Sequence, residues 1–147
     1  MDRSEIVETM RRFGRFYTVS LGVLDQNYLG TGFSLTEMRI IFEIDWNSGI
    51  SAKQLSELLR LDKSYISRII RSFEQRSLVD RCQSSSDRRS FELSLTREGR
   101  AASELLRCAV QENIENLLRP LDEERQNEAA SAMERIMAIF EEKENQI

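Results

Sequence analysis

One segment of the sequence, from Asp62 to Arg76, constrains the fold more than any other. Its large apolar residues recur at positions i, i+3, i+4 and i+7, as Ile66, Ile69, Ile70 and Phe73. That spacing predicts an α-helix with one buried stripe. The opposite face carries cations and short hydrogen-bonding side chains, namely Lys63, Ser64, Ser67, Arg68, Arg71 and Gln75. Asp62 is a suitable N-cap, so we expect the helix to begin there. The exposed face suits phosphate oxygens and base edges.

The size and composition of the chain allow one domain with its own core. The chain has 147 residues, of which 40% are apolar, with 1 proline and 6 glycines, and this balance favours long helices. The first apolar window, residues 16–24, is ended by Asp25, and no signal peptide or membrane-spanning run is visible. We therefore expect a cytoplasmic protein with no membrane partner.

Charge is distributed unevenly along the chain, although the net charge is only −4. Residues 1–50 carry 5 cations and 7 anions, residues 51–100 carry 11 and 7, and residues 101–147 carry 5 and 11. A basic middle segment between acidic flanks is typical of a nucleic-acid reader attached to a self-associating scaffold. A chance fluctuation is the alternative explanation.

The residue types present exclude several kinds of site. There is no histidine, and Cys82 and Cys108 are far apart without CxxC spacing, so we expect no metal site of ordinary zinc type and no cofactor. We interpret both cysteines as packing residues, with a redox or metal role as the alternative. Histidine-dependent catalysis is excluded, and no glycine-rich phosphate loop or activated nucleophile can be found. We therefore expect no enzymatic activity.

Before the central helix, two further helices are predicted. Apolar residues repeat every three or four positions from Ser4 to about Tyr28, which predicts a helix of about 25 residues. Part of its apolar face is expected to meet either a partner subunit or the C-terminal helices. After a loop over residues 27–32, Ser34 and Glu37 form an S-x-x-E capping box, and the second helix ends near Trp46.

A second capping box, formed by Ser51 and Gln54, opens a third helix of nine or ten residues. The side chains expected on its buried side are Ala52, Leu55, Leu58 and Leu59. A brief turn at residues 60–61 then leads directly into the helix from Asp62. Two short, capped helices around a tight connection have the sequence form of a helix-turn-helix.

The residues after this pair predict a β-hairpin and two more helices. Residues 78–83 and 90–95 alternate as strands on either side of a basic turn, and such a hairpin directly after a recognition helix is a wing. A helix follows from Thr96 to Leu118, and Pro120 separates it from a last helix capped by Asp122. That helix has an apolar stripe of Ala129, Met133, Ile136, Met137 and Phe140. The fold class expected is mainly α, a winged helix-turn-helix with a small β-hairpin wing.

With this order of elements, the chain resembles the MarR family of bacterial transcriptional regulators. The most specific part is residues 78–99, LVDRCQSSSDRRSFELSLTREG, while LTEMRIIFEI from Leu35 and SAKQLSELL from Ser51 match the second and third helices. The resemblance implies a single domain, in which residues 34–100 form the DNA-binding lobe and residues 1–33 and 101–147 form dimerisation helices. It further implies a homodimer on a pseudo-palindromic operator in double-stranded DNA, regulating transcription as a repressor.

The resemblance also assigns DNA-binding residues. The central helix would enter the major groove with Lys63, Ser64, Tyr65, Ser67, Arg68 and Arg71. Arg89 on the wing would reach the minor groove, Asp87 would orient a neighbouring arginine, and Arg88 is the next candidate. For Ser51 and Gln54 we favour a helix cap over direct DNA contact, with donation of backbone N–H groups from the helix start to a phosphate as the alternative. The alternatives are an ordinary solvated helix face and a solvated hairpin turn.

Regulators of this kind often bind a small aromatic or anionic effector between the reading lobe and the dimer helices. The residues expected to line such a pocket are Phe13, Phe16, Tyr17, Met38, Arg39, Ile41 and Phe42. Packing in an ordinary core is the alternative for this aromatic stripe. A competing function is a protein-interaction module that has lost DNA reading and acts as an antagonist by heterodimerising with a related regulator.

Overall fold

A computed structural model describes residues 1–25 and 27–144 of the chain. Its helices are α1 Arg3–Ser20, α2 Leu35–Trp46, α3 Ala52–Leu59, α4 Lys63–Gln75, α5 Arg97–Leu118 and α6 Glu123–Glu144, with strands β1 Val79–Gln83 and β2 Phe91–Leu95. The prediction of a mainly α winged helix-turn-helix is confirmed. The chain forms two compact units, Met1–Val110 and Gln111–Ile147. Within the described ranges, no helix is both long and apolar enough to cross a membrane.

The first helix is shorter than its apolar periodicity predicts, because it ends at Ser20 and not near Tyr28. Gly22 adopts a positive φ of 68° just beyond the helix end, a conformation that costs glycine little. The backbone N–H of Val23 then donates to the Thr18 carbonyl oxygen at 3.2 Å, as in a Schellman C-cap. Tyr28 instead lies in a short 3-10 turn, where it is buried with 4% exposure.

The starts of α2, α3 and α4 form through the predicted caps. Each capping side chain accepts from backbone N–H groups of the first turn: Ser34 from Glu37 (3.1 Å), Ser51 from Gln54 (3.1 Å), and Asp62 from Ser64 (2.9 Å) and Tyr65 (3.1 Å). The Glu37 and Gln54 side chains also accept from the backbone N–H of their caps. Caps of this kind each contribute about 1 kcal/mol, so the helix boundaries of the lobe are fixed locally.

Helix α3 has eight residues, ends at Leu59, and is followed by the C-cap residue Arg60, which adopts a left-handed conformation with φ 53°. Leu55 on this helix is fully buried, whereas Leu58 is 56% exposed. The prediction that Leu58 is buried is therefore wrong. At 100° per residue, Leu58 lies about 60° from Leu55 on the side away from Leu59. Leu58 therefore lies outside the buried apolar stripe.

The buried stripe of α4 is confirmed and forms part of the lobe core. Ile66, Ile70 and Phe73 are each 0% exposed, and Ile69 is half-buried against the same core. They pack with other fully buried side chains, namely Ile40, Ile41, Ile44, Leu55 and Leu106. Because burying one such side chain contributes about 1.5–3 kcal/mol, the orientation of α4 is set by its apolar face.

The predicted wing is a two-stranded antiparallel sheet. β1 pairs with β2 in a register that places Arg81 opposite Leu93 and Gln83 opposite Phe91. Ile50 adds an isolated bridge to Leu93, so the turn before α3 is tied to the wing. The bridge joins the base of the wing to the core, since Leu93 is only 2% exposed.

One junction joins the end of α4, the wing and the start of α5. The Thr96 hydroxyl donates to the Ser77 carbonyl oxygen at 2.6 Å and accepts from the Gly99 N–H at 2.9 Å. The Thr96 N–H donates to the Leu78 carbonyl oxygen at 3.0 Å. A Cβ on Gly99 would overlap that carbonyl oxygen of Leu78. The L-T-x-x-G motif is therefore a packing requirement, because only glycine lets α5 approach so closely.

An acidic side chain links α2 to α5. The Asp45 carboxylate accepts from the Ser103 hydroxyl and from the Arg107 guanidinium, both at 2.7 Å. The hydrogen bond from Ser103, followed by that from Arg107, holds the pKa of Asp45 below its ordinary value of 3.8. Arg107 also lies over the rings of Phe42 and Trp46, at 5.5 and 5.8 Å from their centroids.

The last helix begins as predicted. The Asp122 carboxylate accepts from the Arg125 N–H at 2.9 Å, and α6 starts at the next residue, Glu123. None of the residues 123–141 is buried. Its apolar stripe is exposed, with exposed fractions of 45% for Met133 and 53% for Phe140. The assignment of residues 1–33 and 101–147 to dimerisation stays a prediction.

Candidate nucleic-acid interface

The outer face of α4 carries the polar side chains that the sequence places there. Since the apolar stripe is buried, the opposite face is turned outward. Lys63, Ser64, Tyr65, Arg68 and Arg71 are exposed, and Ser67 is half-buried. This face presents three cations together with hydroxyl groups, so it can offer charge-assisted hydrogen bonds to phosphates and forked contacts to guanine.

Arg68 is held in place on this face by an aromatic ring. Its guanidinium carbon lies 5.5 Å from the centroid of the Tyr65 ring, one turn earlier on the helix. Such a cation–π contact at an exposed site contributes about 0.5–1 kcal/mol. It limits the number of conformations that Arg68 samples, and therefore lowers the entropy that a forked contact to a base would cost.

A cleft of about 540 Å³ lies between α4 and the wing. Its lining brings together six of the residues predicted to bind DNA, namely Ser51, Lys63, Ser67, Arg71, Asp87 and Arg89. Lys53, which no sequence pattern marks as a DNA contact, lines it as well. Residues far apart in the chain thus form one basic concave surface, as a phosphate backbone requires.

The tip of the wing is shaped by Asp87, although not in the way predicted. Its carboxylate accepts from the backbone N–H of Arg89 at 2.9 Å, and its carbonyl oxygen accepts from the Ser90 N–H at 3.0 Å. The expected ion pair with a neighbouring guanidinium is replaced by this turn of the backbone. The Gln83 side chain donates to the Arg88 carbonyl oxygen at 2.7 Å. Both arginines at the tip are exposed.

The two capping residues of α3 are separated by the fold. Ser51 lines the cleft beside α4. Gln54 lines a different cavity of about 850 Å³, together with Glu43, Glu57 and Glu92. The surroundings of Gln54 are therefore acidic. Of the two caps, Ser51 is the one placed beside the other candidate DNA-binding side chains.

Two residues of the cleft were missed in the sequence as functional candidates. Glu74 on α4 and Arg81 on β1 form a two-point ion pair, with Nε–Oε1 and Nη2–Oε2 distances of 3.0 Å each. No periodicity marks this pair, because it crosses from a helix to a strand. The one available signal is the arginine of the "LV-R" motif, residues 78–81.

The residues predicted to line an effector pocket fall into three groups with different surroundings. Met38, Ile41 and Phe42 belong to the core of the lobe, with exposed fractions of 5%, 0% and 6%. On α1, Phe13 and Tyr17 stack with their ring centroids 5.4 Å apart. The remaining two are exposed: Phe16, at 66%, and Arg39, which pairs with Glu43 at 3.0 Å. None of these seven residues lines either cavity described above, and the effector pocket stays a prediction.

Both cysteines differ from the packing role expected of them. Cys82 on β1 and Cys108 on α5 are exposed free thiols. Cys108 makes a long contact of 3.9 Å to the Glu104 carboxylate. In the described ranges, no three or more cysteine or carboxylate side chains are grouped as a metal site would require.

Comparison with protein families supports the resemblance read from the motifs. Residues 33–91 match the model of the MarR family, a segment that covers α2, α3, α4, β1, the wing turn and the first residue of β2. A comparison with curated proteins gives no match.

Solved structures share the fold along nearly the whole chain. The structure of Streptococcus pneumoniae FabT in complex with DNA is 23% identical and has a TM-score of 0.72, with 96% of this chain and 99% of that chain covered. Wild-type MarR from E. coli, in its apo form, is 14% identical with a TM-score of 0.72, and 92% and 97% of the two chains are covered. A MarR family transcription regulator designated SP03579 reaches a TM-score of 0.75 at 19% identity, with 98% and 93% covered.

Proposed function

Because this chain carries the winged helix-turn-helix domain of the MarR family, we propose that it is a cytoplasmic, dimeric and sequence-specific DNA-binding repressor of transcription. One observation carries the proposal. The outer face of α4, the start of α3 and the wing tip line a single basic cleft. A duplex seated there would meet α4 in a major groove and Arg89 in the adjacent minor groove.

Charge supports this proposal despite the negative net charge of the chain. Lys63, Arg68 and Arg71 share the exposed face of α4, and Arg88 and Arg89 are exposed on the wing. Three of these five cations, Lys63, Arg71 and Arg89, line the one cleft, where they attract the phosphate backbone locally. The structure of FabT with DNA, which has the same fold, further supports a duplex as the partner.

Dimerisation is proposed from the unburied apolar faces of the terminal helices. None of the 18 residues of α1 is buried, and the apolar stripe of α6 is exposed. A second copy of the chain would cover such faces. Two recognition helices related by a two-fold axis would enter successive major grooves about 34–36 Å apart, so the operator would be a pseudo-palindrome.

We further propose that a small-molecule effector releases the protein from DNA, and that the chain acts by binding alone, without catalysing a reaction. Aromatic surface for an effector is available on α1, where Phe16 is 66% exposed. Thermal-shift measurements with a panel of aromatic carboxylates would identify an effector. A compound that raises the melting temperature while lowering operator affinity would support this part of the proposal.

The decisive experiment is selection from a random duplex library with the purified full chain. We expect enrichment of an inverted repeat with half-sites one helical turn apart. If a well-folded dimer enriches no motif but forms a stable complex with a related regulator, the protein-interaction module becomes the better explanation. Repression is then tested by placing the selected site in a promoter that drives a reporter gene.

Operator binding is expected to depend steeply on salt. If each dimer neutralises six or more phosphates, affinity falls by about 10³-fold or more between 50 and 200 mM salt. The measurement is a titration of a labelled operator by fluorescence anisotropy at four salt concentrations. A flat dependence would show that the basic cleft does not contact the phosphate backbone.

Replacement of Arg89 by alanine tests the wing. We expect Arg89→Ala to weaken operator binding by about tenfold, since one minor-groove contact contributes about 1–3 kcal/mol. The dimer should stay intact in analytical ultracentrifugation. Arg11→Ala is the matched control, because Arg11 is an exposed arginine on α1 outside the cleft. Equal affinities of the two variants would remove the wing from the mechanism.

A further inference from the structure

The ion pair between Glu74 and Arg81 connects the recognition helix α4 to the wing. Both nitrogen–oxygen contacts measure 3.0 Å, so the guanidinium and the carboxylate meet as two forks. The side chains are 33% and 35% exposed. Pairs that are two-pronged and partly shielded from water have a more defined geometry than ordinary surface ion pairs.

Arg81 makes a second contact that fixes its position. Its guanidinium carbon lies 5.2 Å from the centroid of the Phe91 ring, on the neighbouring strand β2. Arg81 therefore touches both strands and the recognition helix. We call Glu74, Arg81 and Phe91 the clamp. All three line the same cleft as Lys63 and Arg89.

The clamp acts on the part of the wing that lies beyond the core. Between the end of α4 at Gln75 and the start of β1 at Val79 the chain makes one sharp corner, where Ser77 has a φ of 58°. Hydrogen bonds from Thr96 to the carbonyl oxygens of Ser77 and Leu78 hold this corner and the base of the wing, but every residue of β1 after Val79 is exposed. A contact between α4 and this exposed part of β1 fixes the direction in which the wing leaves the core.

The charge of Glu74 is the reason to assign the clamp a function. An anion in a cleft that is to receive phosphates opposes binding unless a cation neutralises it. Arg81, in turn, is already occupied by that carboxylate. The charges of Glu74 and Arg81 largely cancel, so the pair adds little to the attraction of phosphates. Its contribution to DNA binding is the geometry that it imposes on α4 and the wing.

We infer that Glu74 and Arg81 are positioning residues that set the angle between α4 and the wing, so that Arg89 meets the minor groove while α4 occupies the major groove. The inference rests on the proposed function. The clamp itself does not read bases. It determines whether the two reading elements engage the same half-site.

The test uses two substitutions whose effects on charge are opposite. Glu74→Gln removes an anion from the cleft, and Arg81→Gln removes a cation. Charge alone predicts that the first variant binds operator more tightly and the second more weakly. The clamp predicts that both bind more weakly, by about fivefold each, and that the double variant is no weaker than either single variant.

Two further variants serve as the control and the rescue. Glu92→Gln removes the same charge from the exposed β2 residue Glu92, which lines the other cavity, and should leave operator affinity at or above that of the wild type. The exchange variant Glu74→Arg with Arg81→Glu restores an ion pair at unchanged net charge, and should recover at least half of the operator-binding free energy that the single variants lose. Tighter binding by Glu74→Gln, or losses that simply add in the double variant, would overturn the inference.

A measurement without DNA separates the clamp from the proposed function. In hydrogen exchange on the free protein, Glu74→Gln should speed the exchange of wing amides over residues 79–95 and leave that of the α4 amides unchanged. Unchanged wing amides would refute the clamp even if the wild type binds its operator. Conversely, faster wing exchange in a protein that selects no duplex would show that the clamp exists and that the proposed function is wrong.

Discussion

The winged-helix lobe and the two terminal helices are all amphipathic, yet their burial differs completely. In the lobe, the apolar stripes of α2 and α4 contain side chains that are fully buried, such as Ile40 and Ile66, each with 0% exposure. In α1 none of the 18 residues is buried, and the α6 residue Phe140 is 53% exposed. Apolar periodicity thus identifies a face that must be covered, but it does not identify the chain that covers it.

The largest loss of folding stability is expected inside the lobe, at the junction with α5. Gly99→Ala should lower the free energy of unfolding by about 3 kcal/mol or more, because the new Cβ would overlap backbone atoms of Leu78 that cannot move aside. Chemical denaturation followed by circular dichroism measures the loss. Gly14→Ala on α1 is the control, since a Cβ added there would meet no atom within 4 Å in the described part of the chain, apart from the neighbouring backbone of its own helix. That variant should be stabilised by about 0.5–1 kcal/mol.

The next largest effect is expected on the terminal helices, where a substitution should weaken association and leave the lobe folded. Replacing both Met133 and Met137 by aspartate should raise the dissociation constant of the proposed dimer by at least about 30-fold. Both side chains are exposed on α6, so the lobe should remain folded. Sedimentation equilibrium measures the change. Leu58→Asp, which alters an isolated exposed leucine of the lobe, should leave association unchanged. A double variant that remains as tightly associated as the wild type would place the interface elsewhere.

A smaller effect is expected where α2 meets α5. Asp45→Asn should cost about 1 kcal/mol of stability at pH 7, because the hydrogen bonds from Ser103 and Arg107 lose their ionic character. The folded-state pKa of Asp45 lies below its ordinary value of 3.8. Its carboxylate therefore stabilises the fold above about pH 3.8, and this contribution is lost as the pH falls through the lower, folded-state pKa.

The measurement is the difference in unfolding free energy between wild type and Asp45→Asn as a function of pH. The difference should be constant near neutrality and disappear in strong acid. Glu8→Gln on α1 is the matched control, because the ion pair of Glu8 with Arg15 is more than half exposed on both sides and such pairs contribute little. Equal losses in the two variants would mean that the Asp45 contacts do not stabilise the fold.

The smallest effect is a gain in stability. Ser77 has a positive φ of 58°, which strains an L-residue but not glycine. Ser77→Gly should therefore raise the unfolding free energy by about 0.5–1 kcal/mol, after the greater freedom of glycine in the unfolded chain is included. Ser72→Gly, inside α4, should lower it by a similar amount. Thermal denaturation of both variants gives the two signs, and a loss in both would show that the corner is unstrained.

Most of the lobe follows from local sequence rules, since its signals lie within a few residues of the features they predict. The capping residues Ser34, Ser51 and Asp62 mark three helix starts correctly because each cap bonds to the turn that follows it. The end of α1 was misplaced, because apolar spacing continues past Gly22, whose positive φ ends the helix. Apolar periodicity carries no information on backbone φ, so it cannot show that the helix ends before Gly22.

The candidate site could be predicted one element at a time, but not as an arrangement. Arg71 and Arg89 were selected from a helix face and a turn, and the fold brings both to one cleft. Asp87 was assigned a guanidinium partner, whereas it bonds the backbone of its own turn. Glu74 and Arg81 were missed since their contact joins a helix to a strand. Such contacts depend on the angle between elements, which sequence spacing does not encode.

The strained corner at Ser77 also has a consequence for the order of folding. Its left-handed conformation is disfavoured locally, and its carbonyl oxygen is bonded by the hydroxyl of Thr96, 19 residues later in the chain. We expect that bond to form only after the wing and the start of α5 have been placed, so α4 can pack against α2 and α3 before the corner closes. Substitutions at Ser77 or Thr96 should accordingly change the rate of unfolding and leave the rate of folding nearly unchanged.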